Sequence, residues 1–219
     1  MTLFIRSLSI WGFRNLADVQ LSLRPLNVLA GGNGKSALLQ FFEMLSFVLQ
    51  PDKFREYVIR HGGGNPQCFM GSAATPVITA SVILTAEAGD YEYSLKLRYV
   101  PDDDQLATDE SHWRFLPTTI PVNKERSPEI GLHPHAEELV TAIMRRVSYD
   151  RQVVATKFPV LVDAVAPEDV IFTTTSRGAA QFARVPSAVW RRWQEGGCTL
   201  SDLWLSRPVG WGCDESEPC

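Results

Sequence analysis

Near its start the chain runs Leu26-Asn27-Val28-Leu29, then Ala30-Gly31-Gly32-Asn33-Gly34-Lys35-Ser36, then an apolar stretch to Leu49. Few other features constrain the fold so much. A short apolar run closed by glycines is the pattern of a strand buried on both faces. Residues 35 to 49 are apolar on nearly every side, as in a helix that belongs in the core. Strand, glycine-rich turn, Lys-Ser and buried helix together form the context in which a phosphate loop has meaning. Glycines let backbone N–H groups converge on phosphate oxygens, and the helix start adds unpaired donors and a partial positive charge. Lys35 would reach the terminal phosphates, and the Ser36 hydroxyl would ligate Mg²⁺. Gly31, Gly32, Asn33, Gly34, Lys35 and Ser36 are therefore the candidate binding residues.

The literal pattern G-x-x-x-x-G-K-[ST] fails, because its first glycine would fall at position 29, which is Leu29. With Gly31 as the first glycine the loop is two residues short. A shorter ring offers fewer N–H donors. From these residues alone two readings stand: a nucleotide loop, or a tight strand-to-helix turn that holds no nucleotide.

Around this core the chain reads as α/β. Leu3, Ile5, Leu8 and Ile10, then Val19, Leu21 and Leu23, are strands with one buried face. Ile78 to Leu84 and Tyr91 to Tyr99 alternate cleanly and form a hairpin through Glu87-Ala88-Gly89-Asp90. Asp102-Asp103-Asp104 opens a polar loop. Residues 112 to 130 show no clear periodicity. Helical spacing returns from Ala136 to Val147, followed by a strand at Gln152 to Thr156, a short helix at Val160 to Val165 and a strand at Val170 to Thr174, a βαβ-like alternation. Residues 180 to 185 read as a last strand. Ser187 reads as the N-cap of a helix carrying Val189, Trp190 and Trp193. A mixed sheet with helices packed on it accounts for both halves.

With 219 residues, 45% of them hydrophobic and 21% charged, one globular domain is expected. Its parts are an N-terminal lobe (1–100), a shortened connector (101–127), a C-terminal lobe (128–206) and a flexible tail (207–219). A net charge of −4 gives no overall electrostatic case for nucleic acid, although a local groove can still be basic. The opening residues lack the apolar core of a signal peptide, and no run approaches the roughly 20 apolar residues of a membrane span. No membrane association and a cytoplasmic address are expected. Cys68, Cys198, Cys213 and Cys219 show no metal-like spacing.

Gly12-Phe13-Arg14-Asn15, followed by Leu26 to Leu39, resembles the opening of the RecF/SMC-type, ABC-like AAA ATPases, whose pattern is roughly N-F-R-[NS], a strand, then L-N-V-L-x-G-x-N-G-x-G-K-S-x-L-L. Ser127-Pro128-Glu129-Ile130-Gly131-Leu132-His133-Pro134 is similar to that family's E-E-P-E-x-G-L-H-P. Ala155 to Ala164 is similar to its T-T-H-S-P-x-L-L-D-A, and Pro167 to Ile171 and Leu200 to Ser206 fit its closing elements. These matches cover about three quarters of the chain in family order. The resemblance implies a P-loop NTPase head of α/β class with the lid and helical insert largely missing. It implies ATP and Mg²⁺ as ligands, Arg14 near the nucleotide, a homodimer through the nucleotide face, and a DNA or nuclease partner in DNA maintenance or phage defence.

The departures fall where the chemistry sits. Walker B acids polarise the attacking water and hold Mg²⁺, yet those positions are Arg126 and Ser127. The switch histidine is replaced by Lys157, and no LSxG-like signature motif precedes residue 128. Glu129 is the substitute acid available, with no spacing argument behind it. His133-x-His135 falls on the family's own turn and reads as structural. Three functions follow: an ATPase with impaired catalysis, a non-catalytic pseudo-ATPase that binds a partner or nucleotide, or an eroded product without independent function.

Overall fold

The computed structural model of the protein describes residues 4–86, 89–117, 141, 143, 147 and 152–206. The α/β class is as expected, with strands distributed over an antiparallel sheet and a mixed one. Strands β1 (Phe4–Phe13), β2 (Leu16–Ser22), β4 (Val77–Ala86), β5 (Gly89–Val100) and β6 (Gln105–Pro117) form the antiparallel sheet in the order β2-β1-β4-β5-β6. In β1 the inward residues Ile5, Leu8 and Ile10 are out of strict alternation. A register shift against β4 between Ile5 and Ser7 accounts for this, since one extra residue in a strand flips the parity of every side chain beyond it.

The second sheet has the order β7-β3-β8-β9, with β7 (Val153–Ala155), β3 (Asn27–Gly31) and β8 (Val170–Ser176) parallel and β9 (Ala179–Ala183) antiparallel to β8. Helix α1 (Lys35–Phe47) follows β3 and buries Leu38, Phe41, Phe42, Met44 and Leu45. Phe41 meets Phe13 edge to face at 5.8 Å, so α1 packs on the antiparallel sheet. Leu29, Val153 and Ile171 of the mixed sheet join the same apolar cluster. The other face of the mixed sheet is covered by α3 (Pro159–Asp163), α4 (Ser187–Glu195) and α5 (Leu200–Ser206), through Ala30, Val162, Val170, Phe172, Leu200 and Leu203. Helices on both faces are what a parallel sheet requires.

Several details differ from the reading of the sequence. Helix α2 (Pro51–Arg60) is an element that the sequence pattern does not predict; it buries Phe54, Tyr57 and Val58, at helical spacing, and starts with proline in its first turn. Strand β6 extends to Pro117, into the stretch that shows no periodicity. Pro186, not Ser187, occupies the N-cap of α4, and no side chain caps it. The expected Walker B region with Arg126, Ser127 and Glu129, the histidines His133 and His135, and the tail after residue 206 lie outside the described residues. No described helix is long and apolar enough to cross a membrane.

Candidate functional site

Two chain reversals meet at one end of the mixed sheet. The first is the loop from β3 to α1. Gly31 has φ 107° and stands against Thr173 of β8, so a Cβ there would run into the Thr173 carbonyl. The Gly32 N–H donates to that same carbonyl at 2.9 Å. Gly34 caps α1 at φ 111°, with no side-chain hydrogen bond, and a Cβ on it would lie 2.7 Å from that of Ala180. Backbone and helix are thus pressed close to β8 and β9, which is the reason for glycine at both positions. The first-turn N–H groups of a helix have no partners within it, and among the described residues no side-chain cap takes them.

The second reversal is the β1–β2 turn. Arg14 is left-handed, at φ 49°, and its N–H donates to the Gln67 carbonyl at 2.7 Å. Its guanidinium donates through Nε to Gln67 Oε1 and through an Nη to Gln40 Oε1, each at 2.9 Å. Gln67 is fully buried and donates to the His61 and Gly63 carbonyls. The Phe69 N–H donates to the Gly12 carbonyl at 2.9 Å, which fastens the 61–76 loop to β1. Met70, next in sequence, is left-handed at φ 56° and 76% exposed.

An open cleft of about 530 Å³ lies between these parts, lined by Arg14, Asn15, the loop from Gly32 to Ser36, Gln40, the apolar group Pro66, Phe69 and Met70, and Lys157. That volume falls within the usual range of small-molecule sites. Arg14, Lys35 and Lys157 are cations on three separate elements, and among the described lining residues there is no carboxylate. A local anion-attracting field therefore exists on a chain of net charge −4. Asn15 Oδ1 is buried without a hydrogen-bond partner among the described residues, so an acceptor stands unused at the cleft.

Lys35 departs from its expected pose. Its ammonium turns back over its own loop, donating to the Gly32 carbonyl at 2.9 Å and to the Gly31 carbonyl, and the residue is 7% exposed. These carbonyls lie four and three residues back along the same loop, within the reach of the lysine side chain. Burial, and then the charge of Lys157, lower the Lys35 pKa from its ordinary value. Ser36 is exposed at the first turn of α1.

The structure thus brings Arg14 together with Gly32, Asn33, Gly34, Lys35 and Ser36, while Gly31 supports the loop from the strand end. Glu129 falls outside the described residues. Among the described residues no group of three or more His, Cys, Asp or Glu is placed to hold a metal. The residues present fit a phosphate chain through N–H donors and cations, and Ser36 stands at the position from which the motif would offer a hydroxyl to Mg²⁺. Sequence reasoning missed Asn15, Gln40, Gln67, Phe69 and Met70. Gln40 left one signal, a polar residue on an otherwise apolar helix.

No protein-family model matches the sequence, and a search of curated proteins found no match. Among solved structures the chain is similar to the recombination mediator protein RecF with ATP (16% identity, TM-score 0.34), over 49% of this chain and 28% of that one. It is also similar to an Smc head bound to the C-winged helix domain of ScpA (18%, TM-score 0.32), over 50% of this chain and 34% of that one. The SMC head domain from Thermotoga maritima aligns over 83% of this chain and 99% of its own (9%, TM-score 0.44). The chain thus spans about a third or less of the RecF and ScpA-bound Smc chains. At such identities and scores the likeness carries no function with it, and the site is read from its own geometry.

Proposed function

We propose that this chain is a RecF/SMC-type nucleotide-binding module that holds a phosphate chain at the end of β3 and does not turn it over. The observation supporting this is the convergence of Arg14, Lys35 and Lys157, from three separate elements, on one cleft at a helix N-terminus. Bound ATP would lay its phosphates along the Gly32–Ser36 loop, with Pro66, Phe69 and Met70 offering an apolar wall for the base. Arg14, already oriented by Gln67 and Gln40, would meet an anion without reorganising. By the sequence resemblance, the module would work beside DNA-maintenance or phage-defence partners, as a homodimer through this face.

Calorimetric titration with MgATP tests the binding. Wild type is expected to give saturable heat, and Lys35→Ala to weaken binding by about tenfold or more. Ser36→Trp, a bulky group at an exposed lining position, should abolish it while circular dichroism stays unchanged. Absence of heat in wild type, or equal heat in all three proteins, would defeat the proposal.

A further inference from the structure

Arg14 is a long side chain on a turn, and such a chain keeps a single pose only when something holds it. Gln67 holds it at two points. The Arg14 N–H donates to the Gln67 carbonyl at 2.7 Å, and Nε donates to Gln67 Oε1 at 2.9 Å. The surroundings dictate which way that amide faces. Its Nε2 donates to the His61 carbonyl at 3.0 Å and to the Gly63 carbonyl at 3.2 Å. A flipped amide would set an oxygen against two carbonyls and an NH₂ against the guanidinium. Gln67 is itself seated from two sides. His61 stacks on Tyr57 of α2 with ring centroids 4.1 Å apart. Asp104, in the β5–β6 turn, accepts from the Gly64 N–H through its carbonyl and from the Asn65 N–H through its carboxylate. The left-handed φ of 49° at Arg14, unusual for a residue with a Cβ, is thus retained by bonds from another part of the chain.

We infer that Gln67 is a positioning residue for anion binding: it fixes the Arg14 guanidinium at the cleft and makes the grip on phosphate depend on the seating of the 61–76 loop. The inference rests on the nucleotide reading above and adds the residue through which Arg14 becomes effective. A guanidinium has five N–H groups. The bonds to Gln67 and Gln40 engage two of them, so the direction of the group is set while it stays charged and able to donate. An anion then meets a donor that is already ordered, and the ordering cost falls on folding rather than on binding. Without the Gln67 amide, Gln40 of α1, at a half-buried position, is the one of the two glutamines that remains. The Nε–H loses its acceptor and the side chain regains rotamers. Affinity then falls even though Gln67, fully buried, touches no ligand.

The test titrates MgATP, and separately inorganic tripolyphosphate with Mg²⁺, into the full chain, Gln67→Met, Arg14→Gln and the double variant, with urea unfolding of each beside it. Tripolyphosphate carries no base, so a loss seen with it comes from the grip on phosphate and not from the apolar wall that Pro66, Phe69 and Met70 form. Gln67→Met should weaken both ligands by about fivefold, and Arg14→Gln by about tenfold. The double variant should stay within about twofold of Arg14→Gln, because a residue that acts through Arg14 has nothing left to act on. Gln67→Asn, polar and shorter by one methylene, replaces Gln67→Met if that chain does not fold, and the same pattern is expected of it. Unchanged tripolyphosphate affinity in the folded Gln67 variant overturns the inference, and so do losses that multiply in the double variant. The two readings fail differently. Wild-type binding that the Gln67 variant leaves intact removes the positioning role alone. No binding of either ligand by wild type removes both.

Discussion

The antiparallel sheet and the mixed sheet solve different problems. Strands of the antiparallel sheet have 7 to 13 residues and mostly pair with near neighbours in sequence, as in Val77↔Arg98 and Val100↔Gln105. Strands of the mixed sheet have 3 to 7 residues, and its central strand pairs with partners more than a hundred residues away, as in Val28↔Val154 and Val28↔Val170. The cleft forms where the ends of these short strands meet the β1–β2 turn. Long local pairing gives a robust frame. Short distant pairing brings Lys35, Thr173 and Lys157 together, and does so with little slack.

The largest effect should come from removing that slack. Gly31→Ala places a methyl against the Thr173 carbonyl at a left-handed φ and should cost about 3 kcal/mol or more. Gly178→Ala, also left-handed but with open space around it, should cost about 1 kcal/mol. Urea unfolding of both variants checks the contrast, and equal losses would mean that β3 and β8 are not pressed together at Gly31.

A smaller and pH-dependent effect should mark the junction of α1 and α2. The Tyr57 hydroxyl donates to the Gln40 carbonyl at 3.1 Å. Burial, reinforced by the charge of Glu43, pushes its pKa from 10.0 up to about 12. A raised acid pKa means that the folded state keeps a proton the unfolded chain gives up. Stability from this group is therefore complete below pH 10 and is lost as pH rises from 10 through about 12. Tyr57→Phe should start less stable than wild type, by about 1 kcal/mol for the lost hydrogen bond. Over that window it should then gain about 2 to 3 kcal/mol relative to wild type, in unfolding measured at each pH. Cys68, pushed up to about 11 by burial, is common to both proteins and cancels. A difference that stays constant with pH would break the assignment.

These regions were also unequally legible in the sequence. Alternation gives β2, β4 and β5 directly, because each buries one face, and it gives β1 on either side of the register shift between Ile5 and Ser7. It fails for β6, where the register shift between Lys96 and Leu97 and the exposed Asp109, Glu110 and His112 obscure the pattern. Phe54, Tyr57 and Val58 had the spacing of α2, but the polar start Pro51-Asp52-Lys53 hides it. In the site, motif rather than periodicity reveals Gly31 to Ser36 and Arg14. The backward turn of Lys35 is not readable from the motif, since it depends on where the Gly31 and Gly32 carbonyls point. Gln67, Phe69 and Met70 lie in a loop without periodicity, and only long-range bonds such as Phe69 to Gly12 carry them to the cleft.

The central claim is a site that holds nucleotide without hydrolysing it, and phosphate release tests it most directly. With ATP at saturation, with and without Mg²⁺, release by wild type should equal that of a Lys35→Ala, Lys157→Gln double variant and of buffer. Release above that background which disappears in the double variant would contradict the account.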